Sequence, residues 1–469
     1  MKANSGYLVK EISGDILTPI SILQRLNGKK KFLLESSHKY TDSGRYSFIG
    51  ADPAIEVISK GKMNEIIKRN GSKEVVTGNP LQILSELLPS TDLDQVPFPF
   101  IGGAVGYVGY DIIRQFEEIG EQLPDALNMP DVHLMLYEDV IVFDHLEDKV
   151  FIIGIPLLAD SDEKSLELRL NKRIAQLKQP NPDSEEQDFQ LSGFFPETSK
   201  EEFMRSVEVA KEHILAGDIF QVVLSRRMRS DFRGSPLSLY RRHRAHNPTP
   251  YMFFIDFEEY AVIGSSPESL IKTRGSTVIA NPIAGTKKRG ETSAEDHRIE
   301  KELINDEKEL AEHKMLVDLG RNDLGKVCEF GSIQVDKYMA VEKFRHVMHI
   351  VSEISGTLSK DKKAMDALAA CLPAGTVSGA PKIRAMEIIN TLENSKRGLY
   401  SGAIGYISAN GNIDFALAIR TMILKDGAAY IQAGAGIVHD SDPESEFEET
   451  VNKLKAFLEG DHHNAITHR

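Results

Sequence analysis

The segment EEFMRSVEVAKEHILA, residues 201–216, has the apolar spacing of an amphipathic helix, and Gly217 directly after it is a typical helix-ending residue. Runs of another kind occur earlier in the chain: AIEVI at residues 54–58 and DVIVF at residues 139–143 are rich in β-branched residues, which is typical of strands. Short strands and helices therefore alternate along the chain. This alternation predicts an α/β (α+β) composite fold.

A polar, proline-containing stretch over residues 176–199, beginning QLKQPNPDSEEQ, is typical of a linker or a long surface loop. Before it, residues 7–155 form a predicted first α/β region. After it, residues 200–458 hold most of the polar side chains that could perform chemistry. The tail from Gly460 onward is expected to be frayed.

The composition narrows the class of protein. Hydrophobic residues make up 41% and charged residues 27% of the 469 residues, as in ordinary globular domains. The net charge of −14 argues against a nucleic-acid binder. Cys328 and Cys371 have no metal-type spacing, and no signal peptide or membrane-spanning run is evident. These features predict a cytoplasmic protein that binds neither nucleic acid nor membranes.

Two acidic segments have the spacing of paired carboxylates on helices. NDEKELAEHKMLVDL, residues 305–319, puts Glu309 and Glu312 on one face, and DPESEFEETVNKL, residues 442–454, does the same for Glu446 and Glu449. Carboxylate pairs suit a hard divalent cation such as Mg²⁺. The alternative is two solvated charged faces, because acidic residues also stabilise the first turn of a helix.

Glycine-rich segments indicate a small anionic ligand. AGTVSGAPK at residues 374–382 and QAGAGIV at residues 432–438 could let backbone N–H groups approach an anion, although they could equally be packing turns. Arg420 ends the strand-like run FALAIR, where a bidentate carboxylate is its best partner.

Three further segments carry polar side chains. GSSPE at residues 264–268 ends a predicted strand with Glu268, a candidate general acid if it is partly buried. NPIAGTKKRG, residues 281–290, is predicted to be a loop with a cationic end, and His349 has the apolar context of a core histidine. The residues alone therefore favour a Mg²⁺-assisted enzyme that acts on a small polycarboxylate.

In their order along the chain, these motifs resemble chorismate-utilising enzymes, most closely the anthranilate synthase component I branch. The resemblance is densest from AGDIFQ at residues 216–221 to EFEE at residues 446–449. It implies two β-sheets packed around a deep cleft and flanked by helices. It also implies conversion of chorismate and ammonia to anthranilate and pyruvate, the first step of tryptophan biosynthesis. Two alternatives stay open: aminodeoxychorismate synthase component I of the folate branch, and a non-catalytic carboxylate-binding regulator.

The resemblance implies roles for particular residues. Glu312 and Glu449 are expected to bind Mg²⁺ directly, with Glu309 and Glu446 acting through water. Glu268 is expected to protonate the leaving hydroxyl and His349 to assist the loss of pyruvate. The remaining catalytic and substrate-binding candidates are Gln221, Thr376, Gly285, Thr286, Tyr400, Arg420, Gly434, Ala435, Gly436 and Lys453. LLES at residues 33–36 and NPTPYM at residues 247–252 resemble the two halves of a tryptophan feedback site, through Ser36, Pro250, Tyr251 and Met252.

Two positions separate subfamilies. Gln221 stands where the water-adding relatives carry a lysine base, which favours ammonia as the nucleophile. Ala284 stands where many aminodeoxychorismate synthases carry a lysine, although some members of that subfamily also carry alanine. The sequence has no Gly-x-Cys-x-Gly nucleophile, so the resemblance implies that a separate glutamine amidotransferase subunit supplies ammonia and that L-tryptophan acts as an inhibitor.

Overall fold

The computed structural model of the chain describes residues 6–37, 44–88, 96–180, 188–343 and 347–458. The tail from Gly460 and residues 181–187 of the predicted linker lie outside the described residues.

The described residues form these strands: β1 Leu8–Ser13, β2 Phe32–Glu35, β3 Tyr46–Gly50, β4 Ile55–Lys60, β5 Met63–Lys68, β6 Lys73–Thr77, β7 Gly103–Val108, β8 Val132–Tyr137, β9 Asp139–Asp144, β10 Lys149–Gly154, β11 Phe189–Leu191, β12 Phe195–Pro196, β13 Gln221–Gly234, β14 Tyr251–Asp256, β15 Tyr260–Ser266, β16 Ser269–Arg274, β17 Thr277–Ala280, β18 Ile283–Lys288, β19 Gln334–Lys343, β20 Val347–Thr357, β21 Gly379–Ala380, β22 Ala403–Ser408, β23 Ile413–Leu417, β24 Thr421–Lys425 and β25 Ala428–Ile437.

The helices are α1 Pro19–Arg25, α2 Pro80–Leu87, α3 Glu163–Leu177, α4 Lys200–Leu215, α5 Pro236–His246, α6 Ser293–Leu303, α7 Glu307–Gly325, α8 Ala364–Cys371, α9 Gly375–Ser378, α10 Lys382–Leu392 and α11 Pro443–Leu458, with a 3₁₀ helix at Tyr110–Gln115. Their ends follow local chemistry. Ser199 caps α4 by accepting a hydrogen bond from the Glu202 N–H, and Gly217 just beyond its end has a φ of +81°. Among the described residues, no helix is long and apolar enough to span a bilayer.

The strands form two antiparallel sheets. The first has the order β1-β10-β9-β3-β2-β14-β15-β24-β25-β13-β11, with β12 and β21 also pairing with β13. The second has the order β18-β20-β17-β16-β23-β22-β7-β8-β4-β5-β6, with β19 also pairing with β20. Both sheets combine strands from residues 7–155 with strands from residues 200–458. The division of the chain at residues 176–199 stays a prediction, and β11 and β12 in that stretch pair with β13.

Aromatic side chains fill the space between the two sheets. Phe32 of the first sheet and Tyr137 of the second lie 4.7 Å apart between ring centroids, and Phe48 and Tyr406 lie 5.6 Å apart. The outer face of the first sheet is covered by α1, α3 and α5, and that of the second by α2, α7 and α8. The prediction of two packed sheets flanked by helices is therefore confirmed.

A smaller apolar cluster fixes one end of the molecule. Phe203 and Val207 of α4 pack with Phe447 and Val451 of α11 over β13 and β25. Because residues 446, 449 and 453 lie on the other face of α11, this packing turns their side chains towards the interior cavity described below.

Three local predictions were wrong. Residues 281–290 are not a loop, because Ile283–Lys288 pairs with β20 as β18. The segment QAGAGIV is not a turn, because it lies largely inside β25. Its small residues are compatible with a strand that pairs with β13. The strand before Arg420 ends at Leu417, and Arg420 lies in the short connection to β24 with a φ of +48°.

Candidate active site

A cavity of about 580 Å³ lies between β13 and β25 of the first sheet and β18 and β20 of the second, closed at one end by α7 and α11. Its lining includes every predicted catalytic and metal-binding residue and nearly every predicted substrate-binding residue: Gln221, Glu268, Gly285, Thr286, Glu309, Glu312, His349, Thr376, Tyr400, Arg420, Gly434, Gly436, Glu446, Glu449 and Lys453. Side chains separated by more than 200 residues in the sequence thus share one cavity.

Ala435 is the exception among the predicted substrate-binding residues. Its side chain is fully buried in the cluster under α4 and α11 and does not line the cavity. Alternation along β25 explains this, because Gly434 and Gly436 face one side of the strand and Ala435 faces the other.

Glu268 lies between β15 and β16, deep in the cavity. The Thr376 hydroxyl donates a hydrogen bond of 2.8 Å to Glu268 Oε1. Burial raises the pKa of Glu268 to about 7, against the opposing effects of Thr376, Lys453 and Arg420. With this pKa, the carboxyl is protonated in a large fraction of the molecules at neutral pH. It can therefore act as a proton donor.

Four carboxylates form one end of the cavity: Glu309 and Glu312 from α7, and Glu446 and Glu449 from α11. Burial, followed by repulsion from the neighbouring glutamate, raises the pKa of Glu309. Burial is also the main cause that raises the pKa of Glu446, and repulsion from Glu449 adds to the increase. A cation would relieve this repulsion.

The donors at this end are all carboxylate oxygens, which suits Mg²⁺. Within the described ranges, no group of three or more His, Cys, Asp or Glu side chains is close enough to hold a metal. Mg²⁺ needs fewer protein ligands than that, because it keeps several waters and binds through one or two carboxylates. The glutamates therefore fit a magnesium ion that is shared with water and an anionic ligand.

Positive charge faces the cavity from Arg420 and Lys453. Lys453 Nζ donates to the Gly434 carbonyl at 2.9 Å and pairs with Glu449 at 2.7 Å. The Arg420 side chain opens onto the cavity, and no carboxylate in the described part of the chain forms an ion pair with it. Burial lowers its pKa, and Glu268 partly opposes this. A guanidinium in this position is suited to an anionic ligand.

His349 of β20 faces Thr286 of β18. Its Nδ1 lies 3.1 Å from the Gly285 carbonyl and 3.0 Å from Thr286 Oγ1. Because a carbonyl can only accept, Nδ1 carries the proton and Nε2 carries the lone pair. Burial lowers the pKa of His349, so the imidazole is neutral and can accept a proton.

Gln221 begins β13, and its Oε1 is buried with no hydrogen-bond partner among the described residues. A Cβ at Gly436 would lie 2.5 Å from Gln221 Nε2, and a Cβ at Gly434 would lie 2.9 Å from the Tyr400 hydroxyl. Both glycines therefore leave room for these side chains.

Sequence reasoning missed several lining residues, including Val223, Lys308, Thr421 and Gln432. Thr421 directly follows Arg420, and Gln432 is the first residue of the QAGAGIV segment. Their proximity in sequence to predicted site residues could have identified them. Val223 has no such signal, because an apolar strand residue can face a cavity or a core equally well.

The predicted inhibitor residues lie together outside this cavity. Ser36 follows β2, and Tyr251 and Met252 begin β14, which pairs with β2. The Ser37 N–H donates to the Thr249 carbonyl at 2.9 Å and holds the two segments side by side. The Tyr251 hydroxyl donates to Asp414 at 2.9 Å. The inhibitor role of these residues stays a prediction.

Comparison with known proteins places this cavity in context. A family model described as chorismate binding enzyme matches residues 30–459. The chain is 46% identical to anthranilate synthase component 1 of Lactococcus lactis subsp. lactis over 96% of this chain and 98% of the relative. It is 45% identical to the protein of that name from Acetivibrio thermocellus, covering 96% and 93%. The crystal structure of anthranilate synthase component I from Streptococcus pneumoniae TIGR4 superposes with a TM-score of 0.83 at 44% identity, covering 95% of this chain and 98% of that one.

Proposed function

The chain belongs to the chorismate-binding enzyme family, and we propose that it is the anthranilate synthase component that converts chorismate and ammonia to anthranilate and pyruvate. The observation that carries the proposal is the placement of Glu268. A carboxyl with a pKa of about 7 lies in a cavity that has carboxylates at one end and also contains the Arg420 guanidinium, which forms no ion pair with a carboxylate of the described residues. A protein that only bound carboxylates would not need this acid.

Chorismate is a dianion, and the cavity offers separate partners for its two carboxylates. Arg420 and Lys453 suit the enolpyruvyl carboxylate, because both are cations that face the cavity. The backbone at Gly434 and Gly436 can approach the ligand closely, since neither residue has a side chain to obstruct it. These contacts would hold the ring in one orientation and so reduce the entropic cost of reaction.

We assign the magnesium site to the four glutamates of α7 and α11, with Glu312 and Glu449 as direct ligands and Glu309 and Glu446 acting through water. A Mg²⁺ ion held by these residues would supply positive charge, and so Lewis-acid stabilisation, for the ring carboxylate of chorismate. Lys453 pairs with Glu449 and donates to the Gly434 carbonyl, so it links the carboxylate end of the cavity to β25.

In the first step, ammonia adds at C2 of the ring, the two double bonds shift, and the C4–O bond breaks. Glu268 donates its proton to the departing hydroxyl, which leaves as water. Thr376 holds the Glu268 carboxyl through Oε1, so its hydrogen bond orients the group that donates the proton. The nitrogen loses its extra proton to solvent.

In the second step, His349 Nε2 takes the proton from C2 and the C3–O bond breaks. The departing enolpyruvate takes up a proton and becomes pyruvate, and the ring becomes aromatic. The hydrogen-bonding of Nδ1 with the Gly285 carbonyl supports this role, because it keeps the lone pair on Nε2.

Gln221 supports ammonia as the nucleophile. An amide cannot deprotonate water, whereas ammonia already has a nucleophilic lone pair. The buried Gln221 Oε1 can accept a hydrogen bond from an incoming N–H group. Ala284, which also lines the cavity, offers no amine nucleophile.

Partner and regulation follow from the same assignment. We propose that a glutamine amidotransferase subunit supplies ammonia in the cytoplasm, where buried reduced thiols such as Cys328 and Cys371 persist.

We also propose that L-tryptophan inhibits by binding near Ser36, Pro250, Tyr251 and Met252. Tyr251 pairs with Ser266, two residues before Glu268, so a ligand there could influence the acid.

The proposal is tested by incubating the purified chain with chorismate, Mg²⁺ and ammonium at about pH 8.5 and following anthranilate fluorescence. Product is expected with ammonium, but not with glutamine alone or with a metal chelator, and L-tryptophan should reduce the rate. A non-aromatic 4-amino product would instead assign the chain to the folate branch. Binding of chorismate without turnover would support a regulator.

A further inference from the structure

A buried arginine touches three walls of the cavity without lining it. Arg397 follows α10, and only 3% of its surface is exposed. Its Nη2 donates to the Val223 carbonyl of β13 at 2.6 Å, and its Nη1 donates to the Val377 carbonyl of α9 at 2.7 Å. Its guanidinium also lies 5.7 Å from the ring centroid of Tyr400. Val223, Val377 and Tyr400 all line the cavity.

The remaining donors of Arg397 are also satisfied. Nε and Nη2 donate to the two carboxylate oxygens of Glu393 at 2.8 and 2.6 Å, and Nη1 lies 3.4 Å from Ser401 Oγ. Each N–H of the planar guanidinium therefore has an acceptor in a fixed direction. A lysine could keep the ion pair with Glu393 but could not reproduce this fork.

Glu393 connects the network to a fourth residue of the cavity lining. The Ser225 N–H and hydroxyl both donate to Glu393 Oε1, at 2.9 and 2.8 Å. Ser225 Oγ in turn accepts a hydrogen bond of 2.8 Å from Gln432, which lines the cavity. This buried ion pair is thus bonded directly to β13 and α9 and is linked through Ser225 to Gln432 of β25.

We propose that Arg397 is a positioning residue for the reaction: it fixes α9 against β13 so that Thr376, next to Val377, holds Glu268 for proton donation. This inference rests on the proposed function, because it assumes that Glu268 is the acid. Arg397 itself does not reach the cavity and acts through the main chain of Val377.

The competing explanation is that Arg397 only stabilises the fold, as buried ion pairs with full hydrogen bonding can do. Arg173 provides a matched control. It is also buried, pairs with Asp139 at 2.7 Å, and donates to the carbonyls of Ala51 at 2.8 Å and Asn27 at 3.1 Å. Among the described residues, none of these partners lines the cavity.

The experiment compares the full-length wild type with Arg397→Lys, Arg173→Lys and Thr376→Val. The stability of each is measured by urea unfolding, and kcat is measured between pH 5.5 and 9 at fixed free ammonia and saturating chorismate and Mg²⁺. We expect Arg397→Lys to lower kcat by roughly a hundredfold, as a small misplacement of a catalytic group can.

The pH profile supplies a readout that stability alone would not move. Thr376 lowers the pKa of Glu268, and Lys453 and Arg420 face the same carboxyl. Losing the Thr376 hydrogen bond should therefore raise the midpoint at which activity falls with pH. We expect that upward shift in both Arg397→Lys and Thr376→Val, and no shift in Arg173→Lys.

If Arg397→Lys matches Arg173→Lys in kcat and midpoint, the positioning role is refuted while the proposed function stands. If the wild type makes no anthranilate, the proposed function fails and the inference fails with it. Should Arg397→Lys not fold, Glu393→Gln serves as the second variant, because it weakens the hold on the guanidinium without removing it. The same upward shift, smaller in size, is then expected, and its absence refutes the inference.

Discussion

Replacing Glu268 by glutamine should lower activity and raise stability at the same time. The pKa of Glu268 lies at about 7 instead of the ordinary 4.5, with burial as the main cause. At pH 8 about 9% of such a carboxyl is protonated, against roughly 0.03% for one with an ordinary pKa. Burial therefore increases the supply of the acid form about 300-fold.

The same shift weakens the fold as the pH rises above 4.5. Between pH 4.5 and about 7 the folded chain holds a proton on Glu268 that the unfolded chain has released. Stability therefore falls as the pH rises through this window and does not fall further above it. The cost at pH 8 is roughly 3 kcal/mol. Glutamine keeps the shape of the carboxyl and carries no charge, so Glu268→Gln should recover part of this energy.

The assay measures kcat and the urea midpoint at pH 6 and pH 8 for the wild type, Glu268→Gln and the control Glu353→Gln. Glu353 bonds to Asn281 at 3.1 Å outside the cavity. Glu268→Gln should lose roughly 10²–10⁴-fold in kcat, and its advantage in stability over the wild type should be larger at pH 8 than at pH 6. Full activity in Glu268→Gln, or lower stability than the wild type at pH 8, would refute the assignment of a buried acid.

Three further predictions follow from the same cavity. Gly434→Ala should lower kcat/KM by about 10- to 100-fold, because a Cβ would lie 2.8 Å from the Leu224 carbonyl and 2.9 Å from the Tyr400 hydroxyl; steady-state kinetics unchanged from the wild type would contradict this. Arg420→Lys should raise KM for chorismate about tenfold or more with a smaller effect on kcat, since lysine cannot bind a carboxylate through two N–H groups; an unchanged KM would argue against that contact. Glu312→Gln should raise the Mg²⁺ concentration needed for half-maximal activity in a Mg²⁺ titration, and an unchanged requirement would exclude Glu312 as a ligand.

Much of the fold could be predicted from local patterns. The helix expected at residues 201–216 is α4, Lys200–Leu215, and the strand expected at residues 139–143 is β9, Asp139–Asp144. The helix has a strong apolar periodicity, and the strand is a run of β-branched residues, so both carry a local signal. The resemblance to chorismate-utilising enzymes, and the two packed sheets it implied, are confirmed by the matches and by the strand order.

The failures share a physical cause. Residues 283–288 look like a loop because they contain a glycine and two lysines, yet hydrogen bonds to β20 make them a strand. Arg397 was not singled out, because a charged residue in a glycine-containing segment is usually exposed. Its importance depends on partners at Val223 and Val377, which only the folded chain brings together. Long-range hydrogen bonding of this kind leaves no periodic signal.

In the proposed mechanism, this cavity places an amine at C2 of chorismate and then expels pyruvate. The most direct test is ¹⁵N and ¹³C NMR of the product formed from chorismate and ¹⁵N-ammonium by the purified chain with Mg²⁺. We expect ¹⁵N bonded to the ring carbon next to the carboxyl-bearing carbon, in an aromatic product, with one equivalent of pyruvate. ¹⁵N at C4 of a ring that still carries its enolpyruvyl group would contradict it.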